Sequence, residues 1–196
     1  MTSPEQPGTS GTPSQTPYAE RVYRSPLAMV GGVLLLGIGL WMGGDALVRG
    51  EGMTRWVALA ALLAGVPLVV AFTFRPAVYA NDDRLLVRNP FRSIVVPWAA
   101  VEALRATYST EVVTRGGEKY QLWAVPVSMR QRKLAVRTGG KVLVGAESTL
   151  SELRQLAEQN AVRPSAKGEP QVRWAYELIA PAAVGFVALV VALALR

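Results

Sequence analysis

Five carboxylates in the middle of this chain, Asp82, Asp83, Glu102, Glu111 and Glu118, are the side chains best placed to offer acid–base chemistry. A working carboxylate needs company: a second titratable group within hydrogen-bond reach, a nucleophile to activate, or a metal ion to share. The chain has no histidine and no cysteine. That removes the commonest proton shuttle, the thiol nucleophile and the usual transition-metal ligands. The five acids are scattered over turns and strand-like runs with no matching base, nucleophile or ligand spacing. The sequence therefore predicts no catalytic residues, no metal site and no cofactor, and so no enzyme. Asp82-Asp83 reads as turn chemistry, because short acidic side chains bond their own backbone in tight turns.

The other chemistry available is positive charge. Lys and Arg number 21 against 14 Asp and Glu, a net charge of +7. The stretch 75–173 holds 16 of the basic residues and 9 of the acidic ones. Its densest cluster is Arg130, Arg132 and Lys133, with Arg137 and Lys141 close behind. Such a cluster suits anionic membrane lipid, at about 1 kcal/mol per residue near the surface, or a protein partner of unknown identity. A solvated polar edge that helps set topology accounts for the same residues. Nucleic acid is not expected, because the charge is spread along the stretch and no nucleic-acid-binding motif accompanies it. Gly116-Gly117 and Gly139-Gly140 lack the spacing and the following Lys-Ser or Lys-Thr of a phosphate loop, so they read as turns.

These residues are positioned by a chain that is largely apolar at three places. Leu27 to Gly44, Trp56 to Phe74 and Leu178 to Leu195 run 18, 19 and 18 residues without a charge. Each is close to the roughly 20 residues that a spanning helix needs. The segmentation that follows is a disordered tail over 1–24, a helical hairpin over 25–75 with spans at about 27–47 and 56–74, a folded domain over 76–162, a linker over 163–173 and a third span over 174–195. The tail, rich in Ser, Thr, Pro, Gly and Gln, holds too little apolar surface to fold and does not resemble a signal peptide. Asp45 to Arg55 reads as a polar turn. Gly39 and Gly43 fit the small-xxx-small pattern of close helix–helix contact. Pro67 and Pro181 are tolerated in spanning helices when neighbours satisfy the freed backbone groups.

Basic residues fall at Arg21 and Arg24, at Arg49 and Arg55, 16 times in 75–173, and at Arg196. Cytoplasmic segments retain positive charge. The N-terminus and the central domain are thus expected inside, with the hairpin loop and the C-terminus outside, in a multi-pass protein of the plasma membrane. Seventeen Arg against four Lys, with abundant Ala, Val and Gly, points to a GC-rich bacterial coding sequence.

Between the spans the pattern changes to short β-branched and aromatic runs broken by turn signals. Ala77 to Ala80 and Arg84 to Arg88 flank Asn81-Asp82-Asp83; Asn89-Pro90 turns the chain into Arg92 to Val96, and Pro97-Trp98 ends that strand. Val101 to Tyr108 continues the series. The glycine pairs mark two hairpins, Val112–Arg115 with Glu118–Leu122, and Leu134–Thr138 with Lys141–Val144. Thr149-Leu150-Ser151-Glu152 has capping-box spacing, and Leu150, Leu153, Leu156 and Ala157 recur at helical intervals. Trp98 and Trp123 are expected in the core. The fold class is then a membrane protein with three transmembrane α-helices, two before and one after a β-barrel or sandwich capped by a C-terminal α-helix.

This segment resembles the bacterial PH (pleckstrin-homology-like) domains of small actinobacterial membrane proteins. The resemblance rests on Asp83-Arg84-Leu85-Leu86-Val87-Arg88-Asn89-Pro90, on Val95-Val96-Pro97-Trp98 leading into Val101, and on the ending of strand, Gly-Gly, strand and helix. It implies a PH-like fold, a non-enzymatic role in binding, and no defined reaction. In eukaryotic PH domains that bind phosphoinositides, the loop between the first two strands is rich in Lys and Arg. Here that loop is Asn81-Asp82-Asp83, whose carboxylates would repel phosphate. The resemblance therefore implies the fold without that ligand site. An accessory subunit of a transport or envelope-assembly complex, acting through its helices, is the alternative reading.

Overall fold

The computed structural model describes residues 21–106, 109–125 and 145–195. Helix α1 (Pro26–Arg49) starts where Ser25 Oγ accepts the amide of Ala28 at 3.4 Å and Pro26 occupies the first turn, which spares one orphan donor. It runs further than its composition suggests. The Arg49–Asp45 ion pair at 3.0 Å lies one helical turn apart within α1, so the polar turn expected over Asp45 to Arg55 shrinks to Gly50, Glu51 and Gly52. Gly52 takes φ 52°, and Arg55 Nε donates to the Gly50 carbonyl at 2.5 Å. Helix α2 (Met53–Val69) continues as a π-helical turn over Val70–Phe74. Pro67 has no N–H to give, and beyond it the bonding slips to i→i+5, with Arg75 N donating to Val70 O at 3.1 Å.

Helix α4 (Tyr176–Ala194) packs along α2 at Gly185, where a side-chain methyl would overlap the backbone of Leu63 and Ala64. The outer faces of all three helices remain apolar, with Leu34, Trp41, Leu59 and Phe186 exposed. These are three helices long and apolar enough to cross a membrane.

Among the described residues the domain has two antiparallel sheets. In the first, β2 (Ala77–Ala80), β3 (Arg84–Arg88) and β4 (Arg92–Pro97) form a meander. Two edge strands complete it: β1 (Arg21–Tyr23) beside β2, and β8 (Gln171–Trp174) beside β4, giving the order β1-β2-β3-β4-β8. The expectation of a tail over 1–24 and a linker over 163–173 thus differs from the structure at both ends. Arg21–Tyr23 lacks the apolar content to hold a strand alone, yet it gains a full backbone ladder from β2; residues 1–20 lie outside the described residues. The second sheet is β5 (Val101–Ala106), β6 (Thr110–Thr114) and β7 (Lys119–Gln121). Its β6–β7 hairpin turns at Gly117, whose φ of 84° favours glycine. The hairpin expected around Gly139-Gly140 lies outside the described residues.

Alternation along the strands sends Val78, Leu85, Val87, Ile94 and Val96 inward, each 0 % exposed. They meet Trp98, Val112 and Leu122 of the second sheet side, and Leu150 and Leu153 of α3 (Gly145–Asn160). The indole of Trp98 donates to the Asn81 carbonyl at 2.7 Å, so its polar atom is satisfied on burial. Because α3 begins at Gly145, Thr149 sits inside the helix rather than at its cap. Glu152 turns instead to the edge strand, accepting from Tyr23 Oη at 2.6 Å and pairing with Arg21.

Strands and apolar helices join without spacers at three points: β1 enters α1 through Arg24 and Ser25, the π turn enters β2 through Arg75 and Pro76, and β8 enters α4 through Ala175. The seam is bonded. Ala175 N donates to Phe91 O at 2.9 Å, and Arg75 pairs with Glu177 at 2.9 Å. Phe72 lies edge-on to Phe91, with ring centroids 5.3 Å apart, and 5.7 Å from Trp123. Trp123, expected in the core, is therefore half-exposed and capped by the end of α2. Trp123 follows β7 by two residues, and its ring meets Phe72 of the π turn.

Candidate anion-binding cleft

The same alternation that buries one face of the first sheet projects Tyr79, Arg84, Leu86, Arg88, Ser93 and Val95 from the other. Register brings Leu86 beside Tyr79 and Val95, and Ser93 beside Arg173 of β8. Together they line a cleft of about 400 Å³. Arg75, Trp174 and Glu177 close it where the helices meet the sheet; Asn81 and Arg84 stand at the far end, and Leu86 and Val95 contribute apolar floor.

Four guanidinium groups face this space, and one carboxylate, Glu177, is among the lining residues. Arg75 is committed: besides Glu177 it donates to Ser93 Oγ and to the Asn89 carbonyl, both at 3.3 Å. Arg88 lies over the Tyr79 ring, 4.9 Å from its centroid, an arrangement that holds a cation without cancelling its charge. Arg24, just outside, donates to Tyr79 Oη at 2.6 Å. Among the described residues no carboxylate pairs with Arg84, Arg88 or Arg173. The cleft therefore carries three arginines without a direct ion pair, and one carboxylate, above a partly apolar floor, a combination that favours an anion with apolar substituents.

The loop that serves phosphate in eukaryotic PH domains is closed here. Asn81 Oδ1 accepts the amides of Asp83 and Arg84 at 3.0 and 2.9 Å, forming the turn that the acidic neighbours had been expected to supply. Asp82 pairs with Arg163 at 3.0 Å and Asp83 accepts from Ser165 Oγ at 2.6 Å, so the segment after α3 lies across the loop.

Residues 75–164 match the family model of the bacterial PH domain. This segment is a bacterial PH domain. No curated protein and no solved structure matches the chain. The bacterial PH domain supplies Arg75, Arg84 and Arg88 to the cleft, while Arg173 and the strands β1 and β8 come from outside the matched stretch.

Within the PH domain, Glu111 and Glu118 do not converge. Glu111 accepts from Ser109 Oγ at 2.6 Å and Glu118 from the Tyr120 hydroxyl, each within its own hairpin. Among the described residues no group of three or more acids could hold a metal ion. The cluster Arg130, Arg132, Lys133, Arg137 and Lys141 lies outside the described residues. Gly43 faces α2 so closely that a Cβ would meet the Leu62 side chain at 2.7 Å, whereas Gly39 opens onto free space. The two positions expected to act together are thus unlike.

The sequence reading missed the cleft because its arginines are separated in sequence by up to about a hundred residues. A local signal was present: in Arg84-Leu85-Leu86-Val87-Arg88, strand alternation puts both arginines on one face. That Arg173 joins them depends on β8, whose four residues, Gln-Val-Arg-Trp, are all exposed and too few for their alternation to mark a strand.

Proposed function

We propose that this chain is a non-enzymatic interaction module, which holds its bacterial PH domain against the cytoplasmic face of a bacterial plasma membrane to engage anionic lipid or a protein partner there. The observation that carries this reading is the spacer-free seam. Three strands of one sheet run directly into three membrane-length helices, and Arg75–Glu177, Ala175–Phe91 and Phe72–Trp123 tie the two parts together. A domain seated this way works at the surface from which the helices descend. PH-like domains are in general non-catalytic interaction modules, which accords with the lack of convergence among the acids.

The start of α1, the end of α2 and the start of α4 all adjoin the sheet, so the PH domain lies on one side of the helices, with the Gly50–Gly52 turn and the end of α4 on the other. The excess of Lys and Arg on the PH-domain side supports the cytoplasm as that side. Reporter fusions at Glu51 and Ser165 test it. A cytoplasmic signal at Ser165 with an external one at Glu51 is expected; the reverse pair would overturn the orientation.

A further inference from the structure

The arginine cleft has a chemistry of its own that the membrane-surface reading does not specify. We infer that it binds the phosphate-bearing headgroup of an anionic lipid, with Arg84, Arg88 and Arg173 as the charged contacts. The inference rests on the proposed membrane location for the source of the ligand, and on the cleft's own geometry for its class.

Phosphate is the fitting anion because guanidinium groups offer paired N–H donors matched to its oxygens, and three of them converge here against a single carboxylate, Glu177, whose direct ion pair is with Arg75. Tyr79 and Ser93 add hydroxyls on the same face. The cleft's roughly 400 Å³ falls in the range of sites for small molecules. A lipid is favoured over a soluble phosphate by position. One end of the cleft is made by Arg75 and Trp174, just outside the apolar helices, and by Glu177 in the first turn of α4, which is the depth at which headgroups lie. Trp174 is half-exposed at that rim, and Leu86 and Val95 give the floor an apolar character that free phosphate would not use. The cleft meets the loop between the first two PH strands only at Asn81, and the two carboxylates of that loop are engaged by Arg163 and Ser165.

The test uses the full chain in a neutral detergent, so that its outcome does not depend on which side of a membrane the domain faces. Short-chain phosphatidylglycerol is titrated at low salt against phosphatidylcholine and against inorganic phosphate. Phosphatidylglycerol should bind in preference to both. The double variant R84Q/R88Q and the single variant R173Q should weaken that binding by about tenfold for each arginine removed. R115Q, on the distant β6–β7 turn, should leave it unchanged. Equal binding of phosphatidylglycerol by R84Q/R88Q and R173Q, each melting like the parent, would overturn the site. Equal affinity for phosphatidylcholine would overturn its anion selectivity, and displacement of the lipid by an equal concentration of inorganic phosphate would overturn the lipid as its source. Where the double variant folds poorly, R173Q on the edge strand decides alone. If the reporter fusions place the PH domain outside while the titration succeeds, the cytoplasmic reading fails and the cleft assignment stands.

Discussion

Asn89 is 3 % exposed, and both ends of its amide are engaged: Nδ2 donates to the Gln121 carbonyl at 2.8 Å, and Oδ1 accepts the Trp123 amide at 3.4 Å. Its own backbone carbonyl takes Arg75 Nε. One side chain thus ties the β3–β4 turn, the end of the second sheet and the first residue beyond α2. Replacing it removes a partner from buried backbone groups, which costs more than the hydrogen bond itself contributes. Asn89→Ala should destabilise the PH domain by about 2 kcal/mol, read as a lowered unfolding midpoint in a near-ultraviolet scan that follows the neighbouring Trp123. Asn89→Asp, which loses the donor and sets a buried carboxylate against the Gln121 carbonyl, should destabilise at least as much as Asn89→Ala. An unchanged midpoint for Asn89→Ala would show that the turn holds without it. The same residue reads from sequence only as the first half of Asn-Pro, a turn signal, and that is true but incomplete.

At the scale of elements, the edge strand β1 is held by more than its ladder to β2. Tyr23 reaches across to α3, where its hydroxyl bonds Glu152. Burial first, then the hydrogen bond and the negative charge of Glu152, push the phenol up from 10.0 to about 12, against an opposing pull from Arg21. A phenol whose folded value is raised favours the folded state at lower pH. Its contribution is fully present below pH 10 and is lost as the pH climbs from 10 towards 12, because the unfolded chain ionises first. Tyr120 behaves alike, pushed up to about 12 by burial and then by Glu118. Tyr23 and Tyr120 should therefore ionise well after the ordinary range in an ultraviolet titration. Glu152→Gln should bring one of them back towards 10. A Tyr23 titration unshifted in Glu152→Gln would place the Tyr23 contact elsewhere. The capping box expected at Thr149 does not fall at a helix start, because α3 begins at Gly145, and Glu152 accepts from Tyr23 across to β1.

At the scale of the whole molecule, the tightest joint lies at Gly185, where α4 approaches the backbone of Leu63 and Ala64. Small residues permit that approach, and in an apolar environment close packing rather than water exclusion holds helices together. Gly185→Leu should separate α4 from α2 at a cost of about 1–3 kcal/mol. Since β8 runs straight into α4, the effect should reach the PH domain. Hydrogen exchange is expected to quicken at 171–175 and at the facing strand 92–95, while the β5–β6–β7 sheet keeps its protection. Quickening spread evenly over both sheets, or confined to the helices, would contradict a rigid seam.

The sequence by itself determined whatever depends on local periodicity and composition. Three apolar runs, the meander from Ala77 to Pro97, the Gly117 hairpin and the amphipathic α3 follow from residues close together in the chain, and so does the resemblance to the bacterial PH domain. It also showed that His and Cys chemistry is absent. Only the tertiary structure decided what depends on distant partners. Arg21–Tyr23 and Gln171–Trp174 are strands because β2 and β4 present free edges to them, and Trp123 leaves the core because Phe72 receives it. Arg84, Arg88 and Arg173 share a cleft because a strand from beyond the PH domain closes its sheet. Backbone ladders accept almost any side chain, so edge strands leave little trace in composition; a charged cleft assembled across them becomes visible only once the strands are paired.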